Sequence, residues 1–479
     1  MSKKESQGIT VNRSDDIAQW YEQVVLKSEI AEFGDVKGTI ILRPKGYYMW
    51  EQVQKYFADE ILNRHEVENT YFPMFIPESF FTKEAEHAEG FAPELAWVSA
   101  VNMDGDSEKA ILRPTSETSI MSAFSRWLRN YRQLPMKVNQ WANVVRWEVK
   151  QTKLFLRGRE FLWQEGHCLY ETDAQCQADV ESIIHAYADL CKRLLAIPVI
   201  VGQKTELEKF PGAIKTYTIE GVMPDGKALQ MGTSHNLGQG FSKAFGVSFQ
   251  GADEHAHFPF YNSWGVSTRL LGATIMTHSD DKGLVLPPLL VKRKVVIIPM
   301  THKNNALEIM AACEELASQL GAYGAYVDKR DQSMGWKLND AELMGVPFVC
   351  ILGGRELEEG VITFKPRDSE KRIVEITGLA ALLDEEVLLM QSRLFDSALS
   401  AFNARIKTAK TESEFASLLE SGHIVRVPFS GSREIEERIL AEYGVSSRCI
   451  DMVETVAEDT VCAFGGGAAT QYVYFGKAY

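Results

Sequence analysis

The chain has 479 residues, 45% apolar and 24% charged, an ordinary balance for a globular protein of roughly three domains. It has no apolar run of membrane-spanning length, and no apolar stretch follows Lys3 and Lys4, so neither a membrane anchor nor a signal peptide is expected; seven cysteines without a framework fit a reducing, cytoplasmic setting. The net charge of −14 argues mildly against a nucleic-acid partner, although an acidic chain can be basic along one face.

In chain order, Ser14 reads as a helix N-cap, with Asp15 and Asp16 in a first turn where the helix dipole favours anions. Ile17, Trp20, Val24 and the stretch 26–30 form its apolar face. A second helix is expected from about Tyr48 to Leu62, then a short strand at 70–77 whose prolines suit an edge or an interface. The runs 144–148 and 155–167 read as an antiparallel hairpin, and a third helix spans roughly 174–195. From 216 to 277 the text is strand-like, and Pro287-Pro288 marks a domain boundary. Beyond it, strands at 295–299 and 346–354 alternate with helices, which implies a small α/β domain with a largely parallel sheet. Helical text near 379–406 leads to a last segment at about 410–479.

Four stretches carry chemistry. Arg113-Pro114-Thr115-Ser116-Glu117-Thr118 reads either as a helix start with capping residues or as a hydroxyl and a carboxylate poised for a substrate ammonium. Alternation puts Arg146 and Glu148 on one strand face, as a surface ion pair or a phosphate cradle. Arg157, Arg159 and Phe161 share a face that Trp163, Glu165 and His167 continue, a mixture foreign to both cores and solvated faces, so a site is the better reading. The stretches 230–239 and 262–272 supply glycines for close backbone approach and small polar residues for ribose or phosphate. They also place Arg269 in an apolar helix-like run, where a buried Arg needs a carboxylate or a phosphate. No Gly-x-x-x-x-Gly-Lys-Ser/Thr loop and no Gly-x-Ser-x-Gly elbow occurs, so P-loop and Ser/His/Asp chemistry lack support.

Together these stretches resemble the motifs of class II aminoacyl-tRNA synthetases: Gly46 to Pro73 resembles motif 1, Arg146-x-Glu148 with Arg157-x-x-x-Phe161 motif 2, and Gly265 to Arg269 motif 3. The wording is more similar still to prolyl-tRNA synthetases, in 113–117, 161–167, Lys204-Thr205-Glu206-x-x-Lys209-Phe210-Pro211-Gly212, Thr233-Ser234-His235-x-Leu237-Gly238-Gln239 and Ser263-Trp264-Gly265. The ending 474–479 resembles the archaeal/eukaryotic-type branch, and the short span between motifs 2 and 3 leaves no room for the editing insertion of the common bacterial branch.

The resemblance implies an α/β chain: an α+β catalytic core at 1–288 with an antiparallel sheet flanked by helices, an α/β anticodon-binding domain at 292–395 and a small α+β C-terminal domain at 405–479. It implies activation of L-proline with ATP and Mg2+, transfer to tRNA(Pro), and a homodimer formed through motif 1. Arg146 would bridge the α-phosphate and the proline carboxylate, Arg157 and Arg269 would hold the β/γ end, and Phe161 would stack on adenine. Glu148, Gln230, Thr233 and Ser267 would contact the nucleotide. Thr115 and Glu117 would take the imino cation; Trp163, Phe210 and the strand from Ser263 to Gly265 would wall the ring, ordered by Glu165, His167 and His235. Glu342-Leu343-Met344-Gly345-Val346-Pro347 matches the Glu-x-x-Gly-x-Pro signature of the anticodon domain, so Glu342 and Arg367 are expected at the anticodon. The branch often holds zinc on four cysteines; Ser430 and Ile435 stand where the first pair would fall, leaving Cys449 and Cys462, so zinc is not expected. A threonyl enzyme would need active-site zinc ligands that are missing here. A non-catalytic paralogue should have lost its motif arginines, and a carrier-loading enzyme would lack the anticodon domain.

Overall fold

The computed structural model describes residues 8–80, 95–98, 109–302, 304–465 and 467–479. The first helix, Ile17–Lys27, is capped by Asp16 and not by Ser14: the Asp16 carboxylate accepts from the amides of Ala18 and Gln19, both at 3.0 Å. The second helix starts earlier than its apolar spacing suggests, at Pro44, because proline suits a first turn whose amide has no partner. It runs to Phe57 and passes into a π-turn at Ala58–Leu62. Of the expected strand at 70–77 only Phe75–Pro77 forms, in a small separate sheet, whereas Glu68–Asn69, just before it, joins the large sheet.

An 11-stranded sheet forms the body of the molecule. Six of its strands carry the site: β1 (Met136–Val145), β2 (Glu160–Tyr170), β3 (Ile200–Gln203), β4 (Lys215–Val222), β5 (Ala228–Gly238) and β6 (Phe260–Ser267). In space they run β3-β4-β5-β6-β2-β1, every neighbouring pair antiparallel. The helix Asp173–Arg193, opened by a Thr172–Gln175 capping box, lays Val180, Ile183, Ile184 and Tyr187 across the back of this sheet. The hairpin is shorter than predicted. Its last rung is Val145 opposite Glu160, so Arg146, Glu148, Arg157 and Arg159 lie in the connecting loop and not on strand faces. The Arg159 amide turns away from the ladder to donate to Gly38 O at 2.8 Å.

The second domain has a five-stranded sheet. Val295–Met300 pairs in parallel with Tyr326–Val327 and Phe348–Gly353, while Val361–Pro366 and Arg372–Glu375 add antiparallel strands. The sheet is therefore less parallel than expected, because the short helix Gly354–Glu359 ends at Gly360, whose φ of 69° turns the chain straight back.

The C-terminal segment does not stand apart. Its strand β7 (Ser446–Asp451) pairs with β3 through Ile450 opposite Gln203 and Asp451 opposite Gly202, so the large sheet runs on into it. Its core is aromatic: the ring of Phe415 lies 4.9 Å from that of Phe464 and 5.8 Å from that of Phe475. Cys462 is buried in this core, and Cys449 abuts Gly202 of β3. Among the described residues no group of three or more His, Cys, Asp or Glu is placed to hold a metal ion, and a tetrahedral zinc site does not fit these residues.

Candidate active site

Residues far apart in sequence meet because strand register aligns them in rows on one face of the sheet. One row runs Thr216, His235, Ser263, His167 across β4, β5, β6 and β2; the next runs Thr218, Thr233, Gly265, Glu165. Above them lies a cleft of about 380 Å3, lined also by Glu117, Arg146 and Phe210. Gly265 keeps its floor flat, since a Cβ there would stand 2.9 Å from Gln164 O. Trp264 points to the other face and packs on Phe57 and Tyr187.

The inner end is acidic and closely hydrogen-bonded. Ser116 precedes the helix Glu117–Trp127 but makes no capping hydrogen bond; its hydroxyl donates to Glu165 Oε1 at 2.5 Å, and Thr115 donates to Glu117. The capping-box alternative for this stretch therefore does not describe it. Gln140 donates to Glu165 Oε1 at 2.6 Å and to Ser116 Oγ at 3.0 Å, and Ser263 donates to Glu117 Oε1 at 3.3 Å. His167 bridges Glu165 Oε2, at 3.1 Å, and the Tyr261 hydroxyl. Glu117 and Glu165 are 4% and 2% exposed, and among the described residues neither pairs with Lys or Arg. Phe210 lies across the His235 ring at 4.7 Å between centroids, and Thr216 Oγ1 joins the Phe210 amide to His235 Nδ1.

Burial, helped by His167, pushes His235 down to about 3; His278, at the end of the helix Arg269–His278, is pushed down to about 4 by burial, against the pull of the Leu195 carbonyl. Both imidazoles stay neutral in the fold, while the unfolded chain protonates them below the ordinary 6.5. Their effect on stability is thus nil above that pH and unfavourable as pH falls from 6.5 towards about 4 and 3. The unfolding free energy read from urea titrations should fall between pH 6.5 and 5, by up to about 1.4 kcal/mol per pH unit for each histidine. His278→Gln should flatten that slope, and an unchanged slope would refute it.

The outer end is cationic. Arg146 Nε donates to Pro114 O at 3.3 Å, and the guanidinium lies 5.5 Å from the Phe161 ring centroid and 5.7 Å from that of Trp163. Arg269 donates to the carbonyls of Leu156 and Gln230, at 3.0 and 2.9 Å, and its own amide donates to Ser267 Oγ at 3.2 Å. Among the described residues neither guanidinium has a carboxylate within ion-pair distance, so the structural Arg–carboxylate alternative for Arg269 does not hold. Burial pushes Arg146 below its usual range against the pull of Glu148, Glu117 and Glu165. Burial, then the charge of Arg146, takes Arg269 down to about 10, with Glu220 opposing. Arg157 is exposed at the mouth. One Glu148 oxygen and the Trp163 indole N–H are buried without hydrogen-bond partners among the described residues. Arg159 supports the loop: its guanidinium lies 4.6 Å from the Trp147 centroid and donates to Val149 O.

The Arg367 side chain, 3% exposed, makes a two-pronged pair with Asp280, at 2.5 and 2.8 Å, and donates to Glu342 O. Glu342 pairs with Lys365 at 2.7 Å, and Gly345, at φ 68°, sits against Leu284. The signature thus clamps the second domain to the first through the Arg367–Asp280 fork. Sequence reading missed Gln140, Thr216 and Tyr261 and gave Ser116 no role of its own within its stretch; the signal for Gln140 was the polar pair Asn139-Gln140 inside a strand. Tyr479 folds back onto the first domain, donating to Asp225 at 2.8 Å beneath the ammonium of Lys153.

A model of the tRNA synthetase class II core domain (G, H, P, S and T) matches residues 97–278, and the fold and the cleft are those of this class of enzyme. Models described as anticodon binding domain and as prolyl-tRNA synthetase, C-terminal, match 294–386 and 412–479. The chain is 44% identical to the proline–tRNA ligase of Chlorobium phaeobacteroides, over 98% of both chains, and 42% identical to that of Alkaliphilus oremlandii, over 100% of both. A crystal structure of prolyl-tRNA synthetase from Cryptosporidium parvum complexed with Halofuginone and AMPPNP superposes with a TM-score of 0.93 at 37% identity, covering 99% of this chain and 100% of that one. The chain belongs to the prolyl-tRNA synthetase family: it is a proline–tRNA ligase, which uses ATP to join proline to tRNA.

Proposed function

We propose that the charge layout of the cleft, carboxylates without a Lys or Arg partner at the inner end and guanidiniums without a carboxylate partner at the outer, among the described residues, assigns the substrates. Zwitterionic proline lies with its ring amine at Glu117 and Thr115 and its carboxylate at Arg146. Trp163, Phe210 and the Ser263–Gly265 strand flank the ring, and Glu165, His167 and His235 hold those walls in place. ATP lies outward, with Phe161 beside its base, Gln230, Thr233 and Ser267 along the nucleotide, and Arg157 and Arg269 at the β/γ end. The orphaned Glu148 oxygen suits a Mg2+ ion carried with ATP, which neutralises phosphate charge when bound. A carboxylate oxygen of proline attacks the α-phosphorus and pyrophosphate leaves; a hydroxyl of the terminal tRNA ribose then attacks the adenylate carbonyl and AMP leaves. No protein nucleophile is required: the residues position both substrates and stabilise phosphate charge.

The division into 1–288, 292–395 and 405–479 belongs to this reading, supported by a hydrophobic core centred in each part, the second taking only Ala196 and Val285 from the first. So does a homodimer through motif 1, supported by Tyr47 at 45% and Tyr71 at 72% exposure. A cytoplasmic setting is supported by seven free cysteines, and no helix among the described residues is long and apolar enough to cross a membrane.

The test is amino-acid-dependent pyrophosphate exchange across the standard amino acids. Proline should lead, and cysteine or alanine should be activated detectably, because walls of apolar rings discriminate by only about 1–3 kcal/mol per methylene. Exchange with threonine but not proline would overturn the assignment, and silence with both cysteine and alanine would overturn the misactivation.

A further inference from the structure

The reaction assigns no chemistry to the C-terminal segment, yet that segment reaches the wall of the cleft. The chain leaves β3 at Gln203 and enters a loop that carries Glu208, Lys209, Phe210 and Pro211 to the cleft. The loop turns on one residue: the Thr205 carbonyl accepts the amides of Glu208 and Lys209, at 3.2 and 2.9 Å. Thr205 is 5% exposed, and its hydroxyl bonds to residues of the C-terminal segment, donating to Glu436 Oε1 at 2.7 Å and lying 3.0 Å from Ser447 Oγ. Ser447 donates to the same Glu436 oxygen. Glu436, 4% exposed on the helix Arg433–Tyr443, is therefore the fixed point behind the turn. Four residues along the turn from its Thr205 contact, Lys209 precedes Phe210, whose ring meets His235.

We propose that Glu436 is a positioning residue for the amino-acid pocket: through Thr205 it fixes the 205–211 turn and sets where Phe210 stands. This rests on the reading of Phe210 as a wall of the proline site. Because the turn borders the amino-acid end of the cleft, its displacement acts on proline and spares ATP.

Pyrophosphate exchange on full-length variants, titrating proline and ATP separately, tests it. Glu436→Ala and Thr205→Val should each raise the KM for proline by roughly tenfold, with the KM for ATP within about twofold of the parent. Glu436→Gln and Thr205→Ser, which keep an acceptor and a donor, should restore it. The combined E436A and T205V variant should be no worse than either alone, since both remove one contact. Phe210→Ala serves as the reference. If it raises the proline KM while folded E436A and T205V do not, or if those two raise both KM values alike, the positioning role is wrong. If F210A leaves the proline KM unchanged, the pocket reading falls and this role falls with it.

Discussion

Arg146→Ala should lower proline-dependent pyrophosphate exchange by about 10²–10³-fold while the protein folds normally. The two halves of that expectation have one cause. The guanidinium is held by a single long bond to Pro114 O and by the faces of Phe161 and Trp163, with no carboxylate partner among the described residues. Removing it breaks no ion pair among the described residues; the pull it exerts on Glu148, Glu117 and Glu165 is lost, its repulsion of Arg269 is relieved, and the two offset, so stability changes little. What is lost is the fork that faces the reacting carboxylate and phosphate. Arg146→Lys keeps the charge but not the planar pair of donors, so it should recover only part of the rate. Exchange by R146A within a fewfold of the parent would remove Arg146 from the chemistry.

Glu220→Gln should have the opposite character, with folding hit first. Glu220 is fully buried between Lys204, at 2.8 Å, and Arg448, at 2.9 Å, and Lys204 also donates to Arg448 O. Burial alone would raise the Glu220 carboxyl; the two cations outweigh it and hold it below its usual range. Neutralising it leaves two buried cations without a counter-charge, at a cost of about 3–5 kcal/mol. Denaturant unfolding followed by tryptophan fluorescence reads that loss. Replacing all three by apolar residues (Lys204→Met, Glu220→Leu, Arg448→Met) should restore stability, because desolvation of the charges then disappears with them. An E220Q protein as stable as the parent would show that water reaches the triad.

The half of the site on β2 was legible in the sequence. Phe161, Trp163, Glu165 and His167 alternate, and a strand must put them on one face. The loop half was legible in identity but not in place. Arg146 and Glu148 also alternate, yet the ladder stops at Val145, and where a hairpin stops depends on contacts such as that of Arg159 with Gly38. Arg367 shows a different limit: its partner Asp280 lies 87 positions away in another domain, and a signature names recurring residues without naming such partners. The Glu220–Arg448 pair joins residues 228 positions apart on β4 and β7, the two strands that flank β3, about which local periodicity says nothing.

The β3–β7 pairing also fixes what a shortened chain would become. Gln203 and Gly202 satisfy their outer hydrogen-bonding side with Ile450 and Asp451. A chain ending near residue 405 would present β3 as a bare strand edge, flanked by a Lys204–Glu220 pair stripped of Arg448, and such an edge recruits the next strand it meets, including that of another copy. For this enzyme the C-terminal segment is thus also its protection against aggregation.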